Sequence, residues 1–134
     1  MEKVNLSVNQ AKALNPLVLA YVGDAVHTLF VRQSLATTSD AKAGRLHTTA
    51  GKVVSAVNQS ILADLILPNL SEEETDIFKR ARNAHSHSSA KNAQLCDYKK
   101  ASGYEAVLGF LYLTGQEERL VQILSIKEIT GDNL

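Results

Sequence analysis

Two apolar stretches of the chain each carry one carboxylate close to a glycine, and this pairing limits the possible folds more than any other feature. Residues 19–26 read LAYVGDAV and residues 104–109 read YEAVLG, with Asp24 and Glu105 as the acids. A glycine inside a helix costs about 1 kcal/mol relative to alanine, so it usually marks a close approach of two backbones. Two helices that cross at these glycines could bring Asp24 and Glu105 into a single divalent-cation site.

The chemistry of the two acids leaves a second interpretation open. Burying an acid is unfavourable unless it is paired or binds a metal. Asp24 and Glu105 could therefore bind a metal together, or each could cap a helix or pair with a basic residue in a packed core. Mg²⁺ needs about six oxygen ligands and keeps several waters, so two carboxylates with waters are chemically sufficient.

The remaining pattern predicts an all-α protein. The chain has 134 residues and is 45% hydrophobic, which fits one globular domain over residues 1–134. No segment alternates apolar and polar residues between hairpin turns, whereas helix signals are dense. Capping boxes at Ser7–Gln10 and Ser71–Glu74 predict the starts of the first and fifth helices. The second, third and fourth helices are predicted to begin at Asn15-Pro16 (to about Leu35), at Asp40 (to about Val54) and at Ser55 (to Leu67). The sixth runs from about Lys99 to Leu113 and is ended by Gly115, and the seventh runs from Gln116 to Ile129.

Charge and cysteine content point to a local anionic partner and a reducing compartment. Lysines and arginines equal aspartates and glutamates at 14 each, but residues 79–100 hold six basic residues and one acid. Such a basic segment on a neutral protein favours an anionic ligand, with nucleic acid a candidate. Cys96 is the only cysteine, and no secretory or transit pattern or membrane span is apparent, so we expect a cytoplasmic protein without a membrane partner.

The two acidic stretches resemble the catalytic domain of the ribonuclease III family. Residues 19–26 are similar to that family's signature helix, and residues 102–109 (SGYEAVLG) resemble its second acidic helix. The chain departs from the general pattern at Ala20 and Ser102, where most members have acids. Both departures fit the branch called Mini-ribonuclease III. Further similar positions, which extend the resemblance to about residues 14–124, are Leu46-His47, Val54-Ser55-Ala56, Gln59, residues 80–84 (RARNA), Lys91-Asn92 and Tyr98.

This resemblance implies a function and a site. The protein is expected to be a homodimeric, Mg²⁺-dependent endoribonuclease of the ribonuclease III fold, without a double-stranded-RNA-binding domain. It is expected to cleave double-stranded RNA by metal-activated water, leaving 5′-phosphates, in the maturation of precursor 23S ribosomal RNA. Asp24 and Glu105 become the catalytic, metal-binding pair. A ribosomal protein is a candidate partner that presents the substrate. The chief rival hypothesis is a non-catalytic RNA-binding or ribosome-assembly protein on the same scaffold, and a second rival is an unrelated helical metal-dependent phosphohydrolase of small molecules.

Other side chains keep two interpretations each. Ser102 is a candidate for orienting a metal-bound water, or it satisfies its own helix backbone. Lys79 and Arg80 could simply offset Glu73 and Asp76 on one helix. The predicted contacts to RNA are Arg80, Arg82, Asn83, Lys91, Asn92 and Lys99.

Histidines and tyrosines are expected to be structural. We expect His27 to be a satisfied core or interface residue, and Tyr21 and Tyr104 to pack in the core. His85 and His87 fit a solvated loop better than a metal site, since no further ligands lie near them in the sequence. The sequence assigns no role to His47.

Overall fold

The structure is a computed structural model in which residues 2–84 and 93–127 are described. The described part is helical and contains no strand, which confirms the all-α prediction. Its helices are α1 (Val8–Lys12), α2 (Pro16–Thr38), α3 (Ala43–Val53), α4 (Ala56–Ile66), α5 (Glu72–Asn83), α6 (Ala93–Leu113) and α7 (Glu117–Leu124), with a 3₁₀ turn (Leu67–Asn69) after α4.

Helix α6 is the centre of the molecule. It packs against α2, α4 and α5, with α1 and α7 at its sides. Residues 101–111 are buried except for Glu105, which is half-buried. A helix that is apolar on nearly all sides must be surrounded by other helices, and α6 has them. Tyr104, Phe110 and Leu108 are among its fully buried side chains.

Local capping chemistry begins the helices where the sequence predicts. Ser7 with Gln10 and Ser71 with Glu74 both form reciprocal capping boxes. Asn15 accepts a hydrogen bond from the Leu17 backbone amide before Pro16, and Ser55 accepts one from the Asn58 amide. Gly115 has a φ of +68°, which confirms it as the left-handed residue after α6.

Three predicted boundaries are wrong. Asp40 does not cap α3, because the helix begins at Ala43 and its N-cap is Lys42, which makes no side-chain capping bond. Helix α6 begins at Ala93 and not near Lys99, since the six residues before Lys99 contain no glycine or proline to prevent a helix.

The third wrong boundary is the end of α7, which lies at Leu124. The Ser125 hydroxyl donates to the Val121 carbonyl at 2.6 Å, and the Ser125 amide donates to the same oxygen at 3.0 Å. Ile129 lies outside the described residues.

No single helix in residues 2–84 and 93–127 is long and apolar enough to cross a membrane. Only Ala43–Val53 together with Ala56–Asn69, bent by 53° at their junction, has the length and composition for it.

Candidate metal centre

Helices α2 and α6 cross at Gly23 and Gly109, as the glycine pattern predicts. A Cβ atom on Gly23 would lie 1.6 Å from the Glu105 carbonyl oxygen. A Cβ atom on Gly109 would lie 1.9 Å from the Leu19 carbonyl oxygen. Both obstructing groups are backbone atoms, which cannot rotate away. Only glycine allows these two helices to lie this close together.

This close crossing places Asp24 near enough to Glu105 to affect the ionisation of its carboxyl group. Glu105 is half-buried, whereas Asp24 is exposed, so only one of the two acids is taken largely out of water. Burial raises the pKa of Glu105 to about 8, with further contributions from the hydrogen bond and the charge of Asp24; a hydrogen bond from Gln59 acts in the opposite direction. The pair is therefore open to solvent on the side of Asp24.

The positions one helical turn before each acid add no carboxylate. Ala20 and Ser102 are both buried, 7% and 5% exposed respectively. The Ser102 hydroxyl donates to the Tyr98 carbonyl at 3.1 Å, which matches the backbone-satisfying alternative; its role toward water stays a prediction. No group of three or more His, Cys, Asp or Glu residues that could hold a metal occurs within the described ranges. Among the described residues, the carboxylates at the helix crossing are therefore those of Asp24 and Glu105.

Gln59 is a site residue to which the sequence assigned no role. It lies on the buried face of α4 together with Leu62, Ala63 and Ile66, and it is only 3% exposed. Its amide nitrogen lies 3.4 Å from Oε2 of Glu105 and 3.0 Å from Nδ1 of His27. The sequence did contain a signal that could have identified Gln59: its side-chain amide lies on the apolar i, i+3, i+4, i+7 face of a predicted helix, and a buried polar group there needs a hydrogen-bonding partner.

His27 is a core residue, which confirms its structural interpretation. It is 3% exposed, and its ring packs edge-on against Tyr104 with 5.1 Å between the ring centroids. Burial lowers the pKa of His27 to about 4, against the opposing charge of Asp24. His27 is thus neutral near pH 7, and its Nδ1 can accept a hydrogen bond from Gln59.

Some of the predicted RNA-binding side chains make hydrogen bonds within the protein. Arg80 donates to the Lys12 carbonyl at 3.1 Å and so holds α1 against α5. Arg82 donates to the Asn83 side chain at 3.2 Å, at the end of α5. Lys100 pairs with Asp64 at 3.0 Å, which gives that lysine a structural explanation. Lys99 is half-buried on α6. Lys91, Asn92, His85 and His87 lie outside the described residues.

One face of α2 is apolar and exposed. Val18, Tyr21 and Leu29 recur at helical spacing and are 45%, 80% and 66% exposed. The expectation that Tyr21 packs in the core is wrong, because the core side of α2 is occupied by Leu19, Gly23 and His27. Tyr104 does pack in the core. The stripe of Val18, Tyr21 and Leu29 is referred to below as the α2 apolar face.

Comparison with known proteins agrees with this architecture. The Ribonuclease III domain family matches residues 17–116. The chain is 46% identical over 110 residues to the Mini-ribonuclease 3 of Brevibacillus brevis, covering 82% of each chain. It is 44% identical over 123 residues to the Mini-ribonuclease 3 of Staphylococcus aureus, covering 90% of this chain and 92% of that protein.

A solved structure shows the same fold. A Fusobacterium nucleatum protein determined by X-ray crystallography superposes with a TM-score of 0.75 at 30% identity, covering 85% of this chain and 91% of that one. The chain belongs to the ribonuclease III family, within its Mini-ribonuclease 3 branch. As a member of that family it is an endoribonuclease that acts on double-stranded RNA.

Proposed function

We propose that this protein is a Mg²⁺-dependent, homodimeric endoribonuclease that cleaves double-stranded RNA with Asp24 and Glu105 as its catalytic, metal-binding pair. The observation that carries the proposal is the pairing of the two carboxyl groups at the Gly23–Gly109 crossing. Burial and the neighbouring Asp24 raise the pKa of Glu105 to about 8, so the charged form of Glu105 is disfavoured in the absence of a cation. A divalent ion held by both residues would stabilise their charged forms.

The residues at the crossing suit a hard cation. Carboxylate oxygens are the ligands that Mg²⁺ prefers, and its remaining positions are normally filled by water and substrate phosphates. The exposure of Asp24 leaves the pair accessible to a phosphodiester. When bound, the ion supplies an activated water nucleophile and stabilises the charge that develops on the phosphate. Asp24 and Glu105 would hold that ion, and the hydrolysis would leave a 5′-phosphate and a 3′-hydroxyl.

RNA contact is assigned to basic and amide side chains between residues 80 and 99. Arg82 and Asn83 at the end of α5, Lys91 and Asn92, and Lys99 on α6 are the candidates, with Arg80 shared between RNA and the α1 contact. Duplex RNA is recognised mainly through phosphates and 2′-hydroxyls, for which these donors are suited.

A second copy of the chain is the proposed partner of the α2 apolar face. Val18, Tyr21 and Leu29 lie on the same helix as Asp24, so a two-fold contact there would set two sites at a fixed separation. An antiparallel duplex has local two-fold symmetry, and each site would then face one strand.

Precursor 23S ribosomal RNA in the cytoplasm is the proposed natural substrate. This part rests on the resemblance to the Mini-ribonuclease 3 branch, as does the candidate ribosomal protein that presents the RNA. A transcript spanning the ends of the precursor, incubated with and without ribosomal proteins, tests it directly. Cleavage at scattered positions, unaffected by those proteins, would contradict it.

The catalytic assignment is tested by cleavage of a long RNA duplex with increasing Mg²⁺. We expect Asp24→Asn and Glu105→Gln to abolish cleavage while both bind the duplex, and Asp76→Asn, an exposed acid on α5, to cleave normally. Binding of the duplex without cleavage by the unmodified protein would favour the non-catalytic RNA-binding hypothesis.

The dimer is tested by sedimentation equilibrium. We expect Tyr21→Arg to produce monomers and Val121→Arg, at another exposed apolar position, to leave the dimer intact. A monomeric unmodified protein would refute the proposed interface.

A further inference from the structure

Gln59 connects three helices at one point beside the proposed metal centre. It is supplied by α4, which takes no part in the α2–α6 crossing. Its amide nitrogen contacts Glu105 of α6 at 3.4 Å and His27 of α2 at 3.0 Å. Gln59 and His27 are each 3% exposed, so neither side chain can exchange these partners for bulk water.

The chemistry of the neighbours fixes the direction of these hydrogen bonds. An ionised carboxylate only accepts, so the NH₂ side of the Gln59 amide must face Glu105 when that carboxylate holds a cation. His27 must then accept at Nδ1 and carry its proton on Nε2. The imidazole packs edge-on against the Tyr104 ring, with an interplanar angle of 74°.

We propose that Gln59 is a positioning residue of the metal centre, which holds Glu105 in the orientation that places its carboxylate beside Asp24, and that His27 in turn orients Gln59. This inference rests on the proposed function. Gln59 would touch neither the RNA nor the metal, and would act on the metal only through Glu105. Residues that orient metal ligands are commonly needed for tight binding.

The small number of ligands makes this positioning more important here. Ala20 and Ser102 supply no carboxylate, so the protein has two acidic side chains at the site within the described residues. If one of two ligands turns away, half of the protein's coordination is lost. The carboxyl of Glu105 is mounted on a flexible side chain, and Gln59 is the buried donor that restrains it.

The test compares Gln59→Met with Asn58→Leu. Met keeps the length of the side chain but cannot donate. Asn58 is the neighbouring amide on α4 and donates to the Val53 carbonyl at 2.6 Å, so its loss perturbs the same helix away from Glu105. Mn²⁺ binding is measured by calorimetry on RNA-free protein, and kcat and KM are measured on an RNA duplex. For Gln59→Met we expect Mn²⁺ affinity and kcat to fall about 10- to 100-fold with KM little changed, and for Asn58→Leu we expect both unchanged.

A second variant separates positioning from structural support. Gln59→Met leaves Nδ1 of His27 buried without its partner, which is destabilising, whereas Gln59→Met/His27→Phe removes both polar groups and keeps a ring against Tyr104. We expect the double variant to regain stability in urea unfolding without regaining Mn²⁺ affinity. His27→Phe alone should weaken Mn²⁺ binding less than Gln59→Met, and the two effects should not add.

The outcomes are distinct. A folded double variant that binds Mn²⁺ and cleaves RNA within about threefold of the unmodified protein would overturn the role of Gln59. An unmodified protein that neither binds Mn²⁺ nor cleaves would instead overturn the proposed function. Asp24→Asn removes one of the two proposed metal ligands, so its loss of Mn²⁺ affinity is the largest that we expect from any of these variants.

Discussion

Replacing Gly23 with alanine should separate the helices that build the site. The new Cβ atom would lie 1.6 Å from the Glu105 carbonyl oxygen, and ordinary contacts begin near 3.4 Å, so α2 and α6 must move apart by about 1.8 Å at this point. The obstructing atom belongs to the backbone of a buried helix, which leaves no side-chain adjustment. Overpacking of this kind costs about 1–3 kcal/mol where side chains can adjust, and we expect about 4 kcal/mol here.

Gly51 provides a matched control for the intrinsic effect of the substitution. It lies inside α3, and nothing lies within 4 Å of the position where a Cβ would be. Alanine there should stabilise the protein by about 0.5–1 kcal/mol through helix propensity and reduced freedom of the unfolded chain. The same gain of about 1 kcal/mol applies at Gly23, so its net loss should be about 3 kcal/mol.

Urea unfolding followed by far-ultraviolet circular dichroism measures both variants, and calorimetry with Mn²⁺ reports the site. We expect Gly23→Ala to lose stability and Mn²⁺ affinity together, because the displacement moves Asp24 away from Glu105. If Gly23→Ala is as stable as Gly51→Ala to within about 1 kcal/mol, the helices do not cross as closely as described and the geometry of the site is wrong.

Three further outcomes follow from the described contacts. In metal-free protein the pKa of Glu105 is raised from 4.5 to about 8, so the folded chain holds more protons than the unfolded chain across that range and the contribution of Glu105 to stability should fall as pH rises through it; urea unfolding in chelator should show this slope unopposed above about pH 6.5, and Glu105→Gln should remove it. Between about pH 4 and 6.5 His27, whose pKa is lowered from 6.5 to about 4, should act in the opposite sense and lose its contribution as pH falls, so it offsets the slope of Glu105 there, and His27→Phe should let that slope extend below pH 6.5. Arg119→Met should destabilise the protein by about 3 kcal/mol, because it leaves the buried carboxylate of Glu74 without the guanidinium that bonds both its oxygens at 2.8 and 2.9 Å. This loss of stability should shrink at acid pH, and equal losses at neutral and acid pH would refute the reasoning.

Features determined by neighbours in the sequence could be predicted, whereas most of those determined by distant neighbours could not. The capping boxes at Ser7 and Ser71 depend on residues three positions apart, so the sequence is sufficient to locate them. The crossing of α2 and α6 was also predictable, because a glycine in an apolar helix indicates close approach even when the partner is far away in the chain. The exposure of Tyr21 could not be predicted, because a tyrosine in an apolar stretch fits a core or an exposed apolar face equally well.

The acids themselves illustrate the same limit. Their types and glycine neighbours indicate a shared site, but the sequence does not show that Asp24 is exposed while Glu105 is half-buried. That asymmetry depends on where α4 covers α6. Gln59 could not be assigned for the same reason, since its partners lie 32 and 46 residues away in the chain.

The crossing of α2 and α6 at Gly23 and Gly109 is therefore expected to set both the metal affinity of the proposed site and the stability of the metal-free protein. By bringing α2 and α6 together, Gly23 and Gly109 place Glu105 where burial and Asp24 disfavour its charge. A cation bound at the proposed site would displace a proton from this pair at neutral pH, so its binding should release protons and tighten as pH approaches 8. Because the unfolded chain has no preformed pair, such an ion should also stabilise the fold most at the pH where the metal-free protein is least stable. The burial of Glu105 beside Asp24 is thus the source of both expected effects, and both depend on two positions at which a methyl group cannot be accommodated.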